Sequence, residues 1–121
     1  MTYDQNNIFA KMLRGEIPND TVMENDYVLA FHDINPKAPT HILVIPKGEY
    51  TDIGDFAANA SAEEIAEFWR AVQNIAADQG LEENGYRVIC NTGSHGGQEV
   101  PHFHAHILGG KPVGPMVSHQ A

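Results

Sequence analysis

A chain of 121 residues, 42% hydrophobic and 19% charged, can build one proper core but not two, so a single domain over residues 1–121 is expected. The formal net charge of −9, with only seven Lys and Arg, excludes the basic face that nucleic acid requires. One small anion, held by backbone N–H groups and local histidines, remains compatible with that charge. No apolar run approaches the ~20 residues of a membrane span. Cys90 is the one cysteine, so no internal disulfide forms. The polar stretch Met1–Asn7 lacks the basic and apolar regions of a signal peptide, and a cytoplasmic location is expected.

In chain order, Ile8–Arg14 carries apolar residues at helical spacing and runs into Gly15, which predicts a short helix. Thr21–Glu24 and Tyr27–Phe31 flank Asn25-Asp26, a hairpin signal. After the rigid Pro36–Pro39 loop, His41–Ile45 is a β-branched run closed by Pro46 and reads as a central strand. Ser61-Ala62-Glu63-Glu64 has the form of a capping box, and Ile65, Phe68, Val72 and Ile75 mark the stripe of one long helix ending near Gly80. Trp69 lies beside that stripe, at the edge of the core or a subunit contact. Tyr86–Asn91 reads as another strand, with Cys90 a small buried residue rather than a reactive thiol. The predicted fold is α+β: a five-stranded, mostly antiparallel sheet with one long and one short helix.

The most informative segment is Pro101-His102-Phe103-His104-Ala105-His106-Ile107-Leu108. On a strand, side chains alternate between faces, so the three imidazoles project one way while Phe103, Ala105 and Ile107 enter a core. Imidazole titrates near neutral pH and serves as nucleophile, acid or base. Two neighbours, about 6.5 Å apart, can also converge on a metal ion, but the outer pair lies about 13 Å apart. No further ligand pattern such as Cys-x-x-Cys or His-Glu-x-x-His accompanies them, so neither metal nor cofactor is expected. Immediately upstream, Thr92–Glu99 contains Gly93 and Gly96-Gly97, whose amides can cradle a phosphate over the row. His104, flanked by imidazole on both sides, is the expected nucleophile toward phosphorus.

His102–Leu108 is the signature of the histidine triad (HIT) superfamily, and the chain resembles its Hint branch along nearly its whole length. Ile8-Phe9, Glu16-Ile17-Pro18, Ala30–Ile34, Ala38–Pro46, Gly85-Tyr86-Arg87, Asn91, Gly96–Val100, Gly109-Gly110 and Lys111–Met116 carry the resemblance. It implies a homodimer with a joined ten-stranded sheet. It further implies metal-free hydrolysis of purine nucleoside 5′-phosphoramidates and aminoacyl-adenylate-like compounds through a nucleotidyl-histidine. By resemblance His104 becomes nucleotidylated, His102 and His106 flank it, and His41 joins the proton network. Asp33 falls at the ribose hydroxyls and Ile8, Phe9, Phe31 and Ile34 at the purine walls. Asn91 and Gln98 fall at phosphate contacts, with Gly97, Glu99 and Val100 completing the nucleotide site.

Read without the resemblance, Asp33 fits an Asx turn before Asn35-Pro36 as well as a diol contact. Phe31 and Ile34 read as core, and His32, His95 and His119 as surface or turn residues. Glu99 replaces a serine of animal Hint proteins and is expected to favour cationic amine leaving groups. Two other readings stay open: a HIT enzyme acting on dinucleoside polyphosphates or sugar phosphates, and a nucleotide-binding regulatory or interaction module with incidental hydrolysis. No nucleic-acid or membrane partner is expected.

Overall fold

The structure, a computed structural model, describes residues 2–117. Its elements are α1 (Ile8–Leu13), β1 (Thr21–Glu24), β2 (Val28–His32), β3 (Thr40–Pro46), α2 (Ile53–Asn59), α3 (Ala62–Asp78), β4 (Tyr86–Ile89), α4 (Gly93–Gly96) and β5 (Ala105–Gly109). The five strands lie in the order β1-β2-β3-β5-β4 with every neighbouring pair antiparallel. β3 is the central strand, as its β-branched run predicts.

Local chemistry sets these boundaries. The Asn25 side chain accepts the amides of Tyr27 (2.8 Å) and Val28 (3.0 Å), closing the first hairpin. Ser61 and Glu64 form the capping box reciprocally, each side chain taking the other's amide at 3.0 Å. α3 then buries Phe68, Val72 and Ile75 against the sheet. Alternation sorts the strands into two faces. Val28, Ala30, Ile42, Val44, Ala105 and Ile107 meet α2 and α3 in the larger core, where Phe103 stacks on Phe56 at 4.8 Å. Leu29, Phe31, Leu43 and Ile45 form a smaller cluster on the opposite face, roofed by Phe9 of α1.

Three expectations change. The sheet carries two further helical elements beyond the expected pair, α2 and the single turn α4. α2 escaped because it has seven residues, one buried side chain (Phe56) and Gly54 inside; the Asp52 cap on the Asp55 amide (2.8 Å) starts it. β4 stops at Ile89, leaving Cys90 and Asn91 outside the ladder. The histidines do not share one strand: only His106 lies in β5. Pro101 has no N–H, and the amides of His102 and Phe103 turn to the carbonyls of Val100 (2.8 Å) and Tyr50 (2.7 Å). Side chains still alternate through this unladdered stretch, so Phe103 is in the large core while His102 and His104 meet Phe9 on the other face. The segment ends at Gly109-Gly110, where Gly110 has φ +95° and a Cβ would come within 2.9 Å of Pro39.

Candidate active site

The imidazoles of His41, His104 and His106 form a packed file on the α1 face, with ring centroids 5.2 Å apart for His41–His106 and 5.1 Å for His104–His106. His102 continues it inward. Phe9 presses edge-on against His104 at 5.0 Å and His102 at 6.3 Å, which fixes the rings from outside. His102, His41 and His104 are all buried, His102 completely.

Partners that can only donate or only accept assign every tautomer. The Lys37 amide donates to His41 Nδ1 (3.0 Å), so His41 carries its proton on Nε2. That N–H faces His106 Nδ1 at 2.9 Å and Asp33 Oδ2 at 3.4 Å, which leaves the His106 proton on Nε2. His102 Nε2–H donates to the Pro46 carbonyl (2.8 Å), so its Nδ1 accepts from the Tyr3 hydroxyl (2.5 Å). His104 Nδ1–H donates to the His102 carbonyl (2.7 Å), leaving a lone pair on Nε2. Among the described residues no buried side-chain nitrogen or oxygen lacks a partner. The Nε2 atoms of His104 and His106, which have no partner among the described residues, therefore open onto the cavity.

Burial keeps these rings neutral, since desolvation penalises the charged imidazolium. It lowers His102 and His106 to about 4 and holds His104 and His41 below the ordinary value of 6.5. At His104 the His102 carbonyl and the Asp33 and Glu99 carboxylates partly oppose that effect. A neutral ring with an accessible lone pair is a competent nucleophile at pH 7.

A cavity of about 770 Å³ opens above His104, within the range of small-molecule sites. Ile8, Phe9, Phe31, Asp33, Ile34, His41, Asn91, Gly97, Glu99, Val100, His104 and His106 all line it. Ile34 is 89% exposed, so it is a cavity rim and not core. Phe31 belongs to both, buried in the small cluster while lining the site. Asp33 satisfies both readings: Oδ1 accepts the Asn35 amide (2.7 Å) in an Asx turn while Oδ2 faces His41. His32 also reaches the rim, whereas His95 is exposed on α4 and His119 lies outside the described residues.

The glycine-rich loop differs from expectation. Gly97 sits at φ +75° and its amide goes to Ser94 O (3.2 Å), the Gln98 amide to Gly93 O (3.0 Å), and the Gly93 amide to Gln98 Oε1 (3.1 Å). Gln98 is also absent from the lining; its Nε2 donates to Thr51 O (2.7 Å) and Val100 O (3.0 Å), bracing the loop. The next amides along, Glu99 and Val100, have no acceptor among the described residues, and they can receive an anion. Sequence reasoning missed Tyr3 and the Lys37 amide, because neither is near the histidines in the chain and no local pattern marks them. It also missed Met12, Pro18, Asn19, Asp20, Leu43 and Val113 on the walls.

Asp33, His41 and His106 bring one ligand atom each within 4.8 Å of one another, the group among the described residues best placed to hold a metal ion. The Lys37 amide argues against it. Ligation through His41 Nε2 requires that nitrogen to be bare, which moves the proton to Nδ1, against an N–H donor. The cluster can carry protons.

A match to the HIT domain spans residues 14–113. The chain belongs to the HIT domain family. Among similar HIT proteins, the purine nucleoside phosphoramidase of Escherichia coli is 47% identical over 93% of this chain and 94% of its own length. An uncharacterised HIT-like protein of Azospirillum brasilense is 56% identical over 97% of this chain and 96% of its own. The structure of a HIT family hydrolase from Clostridium thermocellum superposes with a TM-score of 0.86 at 36% identity, covering 95% of this chain and 99% of that one.

Proposed function

We propose that the protein is a hydrolase of purine nucleoside 5′-phosphoramidates and aminoacyl-adenylate-like compounds, releasing a nucleoside monophosphate and an amine. One observation carries the reading: an unprotonated His104 Nε2 open to a nucleotide-sized cavity, its other nitrogen fixed by a backbone carbonyl. The 47% identity to a named phosphoramidase supports it.

The base rests among Ile8, Phe9, Phe31 and Ile34, and the ribose hydroxyls bind the Asp33 carboxylate. The phosphoryl oxygens take the Glu99 and Val100 amides. His104 Nε2 attacks the α-phosphorus as the phosphorus–nitrogen bond breaks. The leaving nitrogen needs one proton. The bound phosphate anion raises the proton affinity of His106, which takes up a proton from solvent and, as an imidazolium, delivers the one on Nε2, while the His41 N–H turns to Asp33. Water then attacks the nucleotidyl-histidine, returning a proton to His106 and restoring neutral His104. No metal enters the scheme.

We extend the proposal to a homodimer. β4 ends the sheet, its outer edge unpaired among the described residues, with Val88 (37%) exposed on it, and α3 exposes Trp69 (38%). Light scattering of the purified protein tests it; a monomer at micromolar concentration refutes it.

Release of AMP from an adenosine 5′-phosphoramidate, assayed with and without a chelator, tests the reaction. Equal turnover in both is expected. Absence of turnover, or its loss on chelation, contradicts the reading.

A further inference from the structure

The N-terminal segment ahead of α1 is built into the site. Asp4 closes a turn in which its carbonyl accepts the Asn7 amide (3.3 Å) and the Asn7 side chain (2.7 Å), and its carboxylate takes the Asn6 amide (2.9 Å). Gln5 donates to both Glu49 carboxylate oxygens at 2.9 Å, and its carbonyl accepts from Arg14 (2.9 Å). These bonds set Tyr3 over the inner end of the histidine file, with its ring edge-on to His102 at 5.6 Å.

His102 itself does not line the cavity and is 0% exposed. Its direct link to the nucleophile is its backbone carbonyl, which orients the His104 ring by accepting Nδ1–H. Two bonds fix the His102 ring: Nε2–H to the Pro46 carbonyl, and the Tyr3 hydroxyl to Nδ1. Without the hydroxyl, a fully buried acceptor has no partner, and the ring gains a reason to turn or to take up a proton.

We propose that Tyr3 is a positioning residue for the nucleophile, acting through the chain Tyr3 hydroxyl, His102 ring, His102 carbonyl and His104 Nδ1. The proposal rests on the phosphoramidase reading for its kinetic consequence, while its structural half is measured on the free protein. Burial raises the Tyr3 phenol, so it stays a donor across the working pH range.

The test combines histidine ¹⁵N spectra with kinetics on an adenosine 5′-phosphoramidate. Wild-type His102 should show a hydrogen-bonded, unprotonated Nδ1 and a protonated Nε2; the opposite tautomer overturns the proposal without any variant. In Tyr3→Phe, which keeps the ring, the His102 Nδ1 resonance should shift and kcat fall about tenfold, about 1.4 kcal/mol, with KM within about twofold. In a His102→Ala background the same change should cost nothing further. An unmoved His102 resonance, an unaltered kcat, or an undiminished loss in that background each overturns it. If wild-type protein fails to cleave the substrate, the spectra still decide the Tyr3–His102 link, and only the functional reading falls.

Discussion

The inner and outer halves of the histidine file are held by opposite means. The N–H groups of His102 and His104 are anchored to acceptors that cannot move a proton, the Pro46 and His102 carbonyls, so their tautomers are fixed. The Lys37 amide also sets the His41 tautomer, but the His41 N–H points at two groups that can accept a proton, the His106 ring and the Asp33 carboxylate. The inner half presents a lone pair and the outer half a proton. In the proposed reaction, one file of four imidazoles thereby separates nucleophile from acid–base group by choice of second partner, not by residue type.

The largest break in that division is His104→Ala, which removes the lone pair. Turnover should fall by roughly 10,000-fold or more while AMP binds within a few-fold of wild type by calorimetry. Substantial remaining activity refutes the assignment. His41→Ala strikes the outer half and should lower kcat about 100-fold, since proton transfer alone is impaired. Because the inner nucleophile survives, a substrate whose leaving group needs no proton should regain most of that loss. Equal losses on both substrates would erase the distinction between the halves.

Acid treats the two halves alike. His102 and His106 are held near 4 when folded, against 6.5 for ordinary imidazole. Between those values the unfolded chain binds protons that the native protein refuses. Stability should therefore fall as pH drops from about 6.5 toward 4, by up to about 1.4 kcal/mol per pH unit for each such group. Denaturant midpoints across this window measure it, and a flat profile contradicts the neutral assignments. The smallest effect expected is on selectivity. Glu99 lines the cavity beside His104, and its carboxylate suits a cationic leaving group. Glu99→Ser should shift preference a few-fold from a lysyl toward a neutral amine; unchanged selectivity removes that role.

Much of this was legible in the chain. The capping box at Ser61, the Asn25-Asp26 hairpin and the apolar stripe of α3 are local signals, and each appears where local chemistry dictates. The alternation of His102, His104 and His106 against Phe103, Ala105 and Ile107 placed the imidazoles on one face even though the ladder begins only at Ala105. The rest depended on distant backbone. The carbonyls of Pro46 and Tyr50 and the amide of Lys37 set the tautomers and the strand start, and no residue pattern announces a backbone partner. Gln98 shows the converse. Its motif position suggested phosphate, yet its amide is engaged with Thr51, Val100 and Gly93.

A crystal of the protein with AMP bound tests the central claim most directly. The phosphorus should lie about 3–3.5 Å from His104 Nε2, with its oxygens toward the Glu99 and Val100 amides. A phosphate seated elsewhere, or a metal ion held by Asp33, His41 and His106, would contradict the account.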